Sequence, residues 1–345
     1  MRVGVLTGGG DCPGLNAVLR AVTLALQGEA ELIGFERGFW GLVEDKSRPL
    51  DAAAVRDLLD EGGTLLGTHN RADPFHWQGR DASAEALATL ARHRIDALIA
   101  IGGDGSLTIA ERFSRLGVNV VGVPKTIDND IACNERSFGF DSAVAVVADA
   151  LARLKTTARS HGRVMLLETM GRDAGWIALE GGLAGGADAI LLPEFAFSLE
   201  RLGAELQQRV ATQGFALVCV AEGARLASGE QRWQTLPGGV ARLGGVADSL
   251  VHLLGPLLPQ LEARSTVLGH LQRGGSPTSF DRLLSTRFGV AAAACVRERA
   301  FGVTVALQGD RCVRVPLALV AGQNRRVSGA DEMVLAARAL GVFLG

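Results

Sequence analysis

Short apolar runs punctuate the chain at 3–6, 95–101, 118–123, 164–167, 189–192 and 215–220, each rich in Val, Ile and Leu. The runs are continuous rather than alternating, which predicts strands covered on both faces, as in a parallel sheet. Helix-like stretches separate them. In the first, Leu15, Val18, Leu19, Val22 and Leu26 recur at helical spacing and define one apolar face. Repeated strand–helix units predict an α/β architecture with right-handed crossovers. Residues 226–245, rich in Gly, Ser and Gln, interrupt the pattern and predict a loop or insertion.

Glycine- and aspartate-bearing turns follow three of the predicted strands: GGGDCPG at 8–14, GGDGS at 102–106 and PKTIDND at 124–130. Ligands of open α/β sheets bind at the carboxyl ends of strands, so the three turns predict one shared site. In GGDGS, Gly102, Gly103 and Gly105 let backbone N–H groups approach phosphate oxygens. Ser106 follows, and a helix expected from Leu107 onward adds positive potential at its start. Asp104 suits Mg²⁺, which takes one or two carboxylates beside water and substrate phosphates. Gly10 belongs to a similar cradle in the first turn. Asp128 and Asp130, two residues apart, would lie on one side of an extended chain. One could take a proton from an attacking hydroxyl while the other supports the metal. Each turn taken singly also reads as an ordinary tight turn or a solvated polar loop.

Other chemistry is excluded by spacing. A dinucleotide fingerprint needs Gly or Ala where the first turn has Pro13. The chain has only three lysines, Lys46, Lys125 and Lys155, and none completes a G-x-x-x-x-G-K-[ST] loop. Protein-kinase signatures are absent. Composition narrows the class further. The 345 residues suggest about two domains. An apolar fraction of 48% with a net charge of −2 excludes a disordered chain and shows no nucleic-acid footprint. No apolar run is long enough for a membrane span. The first residues lack a signal peptide's apolar stretch. The five cysteines form neither a CxxC pair nor a disulfide framework. A cytoplasmic protein with no nucleic-acid or membrane partner is expected.

The set TGGGDCPGLNAV, GGDGS, PKTIDND, SFGFDSA, MGRDAGW and VLGHLQRGGSP, in this order, resembles the 6-phosphofructokinase family from the first strand to about residue 290. The resemblance implies two Rossmann-like three-layer α/β domains with the active site in the cleft between them. Residues 1–139 plus about 271–321 would form the donor domain. Residues 140–270 plus about 322–345 would bind fructose 6-phosphate. The implied reaction is Mg²⁺-dependent transfer from ATP to the sugar's 1-hydroxyl. Asp128 matches the catalytic base, Thr126 and Asp130 the same loop, and Asp104 the residue that organises Mg²⁺. Gly10, Gly105 and Ser106 match the nucleotide-phosphate cradle. Arg172 matches the residue that stabilises the transferring phosphoryl group. Met170, Gly171, Glu222, His270 and Arg273 match sugar-phosphate contacts. Arg163 and Arg264 match arginines that reach in from a neighbouring subunit. A homo-oligomer with shared sites, a homotetramer or homodimer, is therefore implied.

Two positions bear on the donor. Pyrophosphate-using relatives typically have Asp at Gly105, where a carboxylate would repel the ATP α-phosphate. Glycine there favours ATP. Lys125 instead resembles the pyrophosphate-using branch, where its charge steadies the transferred or leaving phosphate. Many ATP-using members have arginine at Asn70; here it comes one residue later, at Arg71. Pyrophosphate thus stands as the alternative donor, and a non-catalytic sugar-phosphate sensor as a distant one.

Overall fold

The computed structural model describes residues 1–226 and 245–344, with the backbone alone of 233–235 and 241–243. In chain order the strands are β1 Arg2–Thr7, β2 Glu31–Phe35, β3 Ser47–Leu50, β4 Ala97–Gly102, β5 Val120–Pro124, β6 Val164–Thr169 and β7 Ala189–Leu191. They continue as β8 Ala216–Ala221, β9 Trp233–Thr235, β10 Ala241–Leu243, β11 Ala263–Val267, β12 Val303–Gln308 and β13 Arg311–Pro316. The chain divides into one unit of Met1–Ser142 with Arg273–Asn324, and another of Ala143–Gln272 with Arg325–Gly345. Both are α/β, the class expected from the apolar runs.

The first unit holds a seven-stranded sheet in the order β13-β12-β5-β4-β1-β2-β3. Its interior pairs are parallel, and β3 and β13 close its two edges antiparallel. Every residue of β4 and β5 is buried, which is why their sequences read as unbroken apolar runs. The edges read differently. β13 leaves Arg311 and Arg314 exposed, and no apolar run announces it. Against the sheet, Phe113 is fully buried, with its ring centroid 5.9 Å from that of Phe39 and 5.1 Å from that of Phe75. The helix Leu15–Ala25 presents the predicted apolar face and packs against the helix Ser279–Arg297. Gly289 permits that approach: a Cβ there would stand 2.6 Å from the Ala21 methyl.

The second unit is an all-parallel four-stranded sheet, β11-β6-β8-β7. β6 and β8 are wholly buried. Glu168, 2% exposed, accepts bonds from Gly245 N (3.0 Å) and Ala247 N (2.9 Å) and so caps the helix Val246–Leu254. The loop or insertion expected at 226–245 lies largely outside the described residues. Within it, β9 and β10 pair antiparallel. Among the described residues no helix is long and apolar enough to cross a membrane.

One buried acid sets up a measurable pH dependence. Asp281, in the first turn of the helix Ser279–Arg297, accepts from Ser142 N at 2.8 Å and Ser142 Oγ at 2.6 Å. Burial pushes its carboxyl up to about 6, against the pull of the Ser142 bonds. An acid whose folded pKa lies above its unfolded value of about 3.9 binds protons more tightly when folded. Its ionisation therefore lowers stability as pH rises from about 4 to about 6, and the full cost persists above that. Between pH 4.5 and 7.5 the wild type should lose about 2 kcal/mol more unfolding free energy than Asp281→Asn. Urea unfolding of both proteins checks this; parallel pH dependences would contradict it.

Candidate active site

Three parallel neighbours, β1, β4 and β5, deliver their following loops to the carboxyl end of the sheet. The registers Thr7↔Ile101 and Gly102↔Pro124 place the strand ends level. Backbone bonds continue past the strands, from Gly8 N to Ile101 O and from Lys125 N to Gly102 O, both 2.9 Å. The loops wall a cavity of about 660 Å³, and all of its lining residues belong to the first unit. Gly10, Gly103, Asp104, Gly105, Ser106, Lys125, Thr126, Asp128, Asp130 and Arg273 line it, together with Asn70 and Arg71.

Gly102 is the exception among the predicted phosphate-loop residues. It ends β4 behind the cavity, where its carbonyl receives Lys125 N. The helix at this loop begins at Asp104, three residues earlier than expected, with Gly103 as its extended N-cap. Its first-turn N–H groups, unpaired within the helix, therefore start at the cavity wall. A Cβ on Gly105 would meet nothing within 4 Å.

The acidic loop reaches the cavity by a different route from simple extension. Asn129, between the two acids, adopts φ +51° and is 1% exposed. Its Oδ1 accepts from Ser137 N at 3.0 Å, and its Nδ2 donates to Glu135 O at 3.2 Å. This buried amide turns the chain, and Asp128 and Asp130 both line the cavity because of the turn. Thr126 Oγ1 donates to Asp130 Oδ1 at 3.0 Å and accepts from Asp128 N at 3.0 Å.

Charge is compensated locally. Lys125 is 3% exposed; its Nζ would lie 3.3 Å from a Cβ on Gly9 and 3.9 Å from one on Gly103. Burial pushes its ammonium pKa down, and the Arg273 guanidinium pushes the same way. The Cys12 thiol, Asp128 and Asp130 oppose this. Arg273 Nη1 donates to Asp11 O at 3.2 Å and crowds Gly10, where a Cβ would stand 2.9 Å from it. Asp104 is half-buried. Burial raises its carboxyl pKa, the charge of Asp130 adds to the rise, and bonds from Gly322 N and the Thr108 hydroxyl counter it.

The segment carrying Asn70 and Arg71 is tied to the sheet from below. Asn16 Oδ1 accepts from Leu65 N at 2.7 Å, and its Nδ2 donates to Gly62 O at 3.2 Å. Thr7 Oγ1 donates to Gly67 O at 2.8 Å, and Thr68 Oγ1 bonds Gly9 O. Asn70 and Arg71 are exposed at the rim, where Arg71 N donates to His69 Nδ1 at 3.1 Å.

The remaining predicted residues lie in the second unit: Arg163 just before β6, Met170, Gly171 and Arg172 after it, Glu222 after β8, Arg264 on β11 and His270 in the turn that follows. Glu222 N donates to Thr169 O at 2.9 Å, and Gly223 N to Gly171 O at 3.1 Å, closing the two loops together. Gly171 adopts φ +134°, and Arg172 beside it is exposed. Buried Gln272 accepts from Met170 N at 3.3 Å and donates to Gly269 O at 3.0 Å, tying the 170 loop to the turn that carries exposed His270. Arg163 and Arg264 both pair with Glu262.

Several cavity residues escaped the sequence. Thr108 and Arg112 line it from the helix face begun by Asp104, four and eight residues on, a spacing that could have revealed them. The Arg112 guanidinium stands 3.6 Å over the Phe75 ring. Gly322 also lines the cavity, from a distant part of the chain that no local pattern connects to it.

Known proteins are similar to this chain in sequence and fold. A family profile described as phosphofructokinase matches residues 2–296. An ATP-dependent 6-phosphofructokinase of Chloroflexus aurantiacus is 48% identical over 359 aligned residues, covering 100% of this chain and 98% of its own. A pyrophosphate–fructose 6-phosphate 1-phosphotransferase of Amycolatopsis methanolica is 46% identical, covering 95% of this chain and 96% of its own. The crystal structure of Pichia pastoris phosphofructokinase in the T-state matches with a TM-score of 0.81 at 32% identity, over 93% of this chain and 35% of that one. The profile spans most of the sequence and relatives near half-identical run its full length: the chain belongs to the phosphofructokinase family.

Proposed function

We propose that this chain transfers the terminal phosphoryl group of ATP to the 1-hydroxyl of fructose 6-phosphate, giving fructose 1,6-bisphosphate. One observation carries this. In a single glycine-rimmed cavity, Asp104, Asp128 and Asp130 meet a buried ammonium, Lys125, and a guanidinium, Arg273. Phosphoryl transfer needs a base for the nucleophile, a means to hold the phosphates and cations for the developing charge.

Asp128 accepts the proton of the sugar hydroxyl while that oxygen bonds to phosphorus. The bridging P–O bond of ATP breaks and ADP leaves. Thr126 holds Asp128 N and Asp130 together, so the base is oriented by its own loop. The glycine loops and the first N–H groups of the helix Asp104–Arg115 receive the donor phosphates. Lys125 and Arg273 offset charge on the group in transit. Arg172 does the same, while Met170, Gly171, Glu222, His270 and Arg273 bind the sugar phosphate, as the family resemblance implies.

Mg²⁺ fits this donor set. Among the described residues no cluster of three or more His, Cys, Asp or Glu is placed to hold a metal alone. Mg²⁺ ordinarily combines one or two carboxylates with water and substrate phosphates. Asp104 and Asp130, whose like charges act on each other, would hold it, and the ion would neutralise phosphate charge there.

Gly105 supports ATP as donor, because the space beside its Cα is open. Lys125 supports pyrophosphate as the second reading, since its Nζ lies against both glycine loops. Arg163 and Arg264, both paired to Glu262 and partly exposed, suit a homo-oligomer in which they reach a neighbour's site. We assign the enzyme to the cytoplasm.

Asp128→Ser should lower kcat by about 10²–10⁴-fold with little change in the KM for fructose 6-phosphate. Steady-state kinetics measure this, and near-wild-type turnover would remove Asp128 as the base. Gly105→Asp should raise the KM for ATP by at least about tenfold while pyrophosphate use is maintained or rises. Kinetics with each donor at matched Mg²⁺ test it. Faster turnover of the wild type with pyrophosphate than with ATP would select the second reading.

A further inference from the structure

Asp104 and Asp130 approach the cavity from different elements and carry like charges. Something must hold them at a fixed interval before a cation arrives. The residues that do so lie late in the chain, beyond the 2–296 span of the family match.

Gly322 N donates to Asp104 Oδ1 at 2.8 Å and, from the same N–H, to Thr108 Oγ1 at 3.0 Å. Thr108 stands one helical turn after Asp104 and also bonds its carboxyl. Two residues beyond Gly322, Asn324 forms an antiparallel bridge with Ile131, the neighbour of Asp130. One short segment thus touches the helix that carries the first acid and the loop that carries the second. The segment is itself firmly seated. Leu317 and Val320 are each 1% exposed and share a core cluster with Leu107 and Ala110 of the Asp104 helix. Leu317 N donates to Gly302 O at 2.9 Å. Gly322 adopts φ +70°, a left-handed turn that aims its N–H back at the helix.

We propose that residues 317–324 are a positioning strap for the cation-binding carboxylates. Gly322, backed by Thr108, fixes the rotamer of Asp104, and Asn324 fixes the backbone beside Asp130. The strap acts through these acids and touches no reacting atom. Partners of this kind orient metal ligands, and their loss commonly weakens metal binding 10–100-fold. The proposal rests on the proposed function only in taking Asp104 and Asp130 as the cation's holders.

The test uses the full chain, Mn²⁺ as the probe and a non-hydrolysable ATP analogue, with free Mn²⁺ read by electron paramagnetic resonance. Gly322→Pro removes the N–H together with the left-handed turn, since proline holds φ at about −65°, and Thr108→Val removes the hydroxyl alone. Each should weaken Mn²⁺ binding about tenfold or more, with the KM for fructose 6-phosphate nearly unchanged. Thr108→Ser, which restores the hydroxyl, and Gly322→Asn, which tolerates the left-handed turn and keeps the N–H, should bind Mn²⁺ within about twofold of wild type. Thermal unfolding accompanies each titration. If Gly322→Pro does not fold, Thr108→Val and its serine rescue decide. Wild-type Mn²⁺ affinity in folded Thr108→Val would overturn the strap, as would a wild type that binds no Mn²⁺. A wild type that binds Mn²⁺ but does not phosphorylate fructose 6-phosphate would refute the proposed function and leave the strap to be judged by its variants.

Discussion

Like charges crowded into a half-buried space are the constraint on which the rest of this site depends. Asp104, Asp128 and Asp130 line one cavity. Away from bulk water their repulsion is screened less than on a surface. The surrounding structure compensates at each point. Lys125 is sequestered against two glycine loops, and Arg273 is braced on the Asp11 carbonyl. Asp104 sits in the first turn of a helix, where the dipole favours an anion. Asn129 is buried and twisted so that the acidic loop can turn without losing its backbone partners.

Most of the strands covered on both faces were legible from the chain alone, though β2 and β12, interior to the seven-stranded sheet, were not. β1, β4, β5, β6, β7 and β8 are covered on both faces, so burial leaves an unbroken apolar signature. The strands that escaped have weaker signatures. β11 reads Ala-Arg-Ser-Thr-Val and stays largely exposed, and β13 sets two exposed arginines among smaller apolar residues. β2 is buried, but Gly34 interrupts its short apolar stretch. The site was legible in the same uneven way. Loops at strand ends announced themselves through glycine and aspartate at fixed spacing. Thr108 and Arg112 sat in plain helical register with Asp104 but belong to no phosphate motif. Gly322 contributes a backbone N–H, which no side-chain pattern encodes. Asp128 and Asp130 both line the cavity, but a left-handed asparagine rather than an extended strand brings them there.

The second unit illustrates how buried polar groups serve as fasteners. Glu168 receives two N–H groups at the start of a helix, and Gln272 bridges two loops with both ends of its amide. Their side-chain oxygens accept backbone N–H groups far away in sequence, so the loops they join are held by geometry rather than by apolar contact. Glu262, holding two arginines at once, is the looser counterpart: it is exposed, and both guanidiniums stay partly open to solvent.

The open space at Gly105 has a bearing on how such sites diverge. A glycine hemmed in by neighbours is locked, because any side chain there disrupts packing. Gly105 has no neighbour for a Cβ to strike and no left-handed backbone to protect. A side chain can appear there without disturbing the helix or the core beneath it. The selectivity of the cavity is thereby uncoupled from the stability of the fold. The packing around residue 105 leaves the rest of the molecule indifferent to a Cβ at that point of the cavity rim.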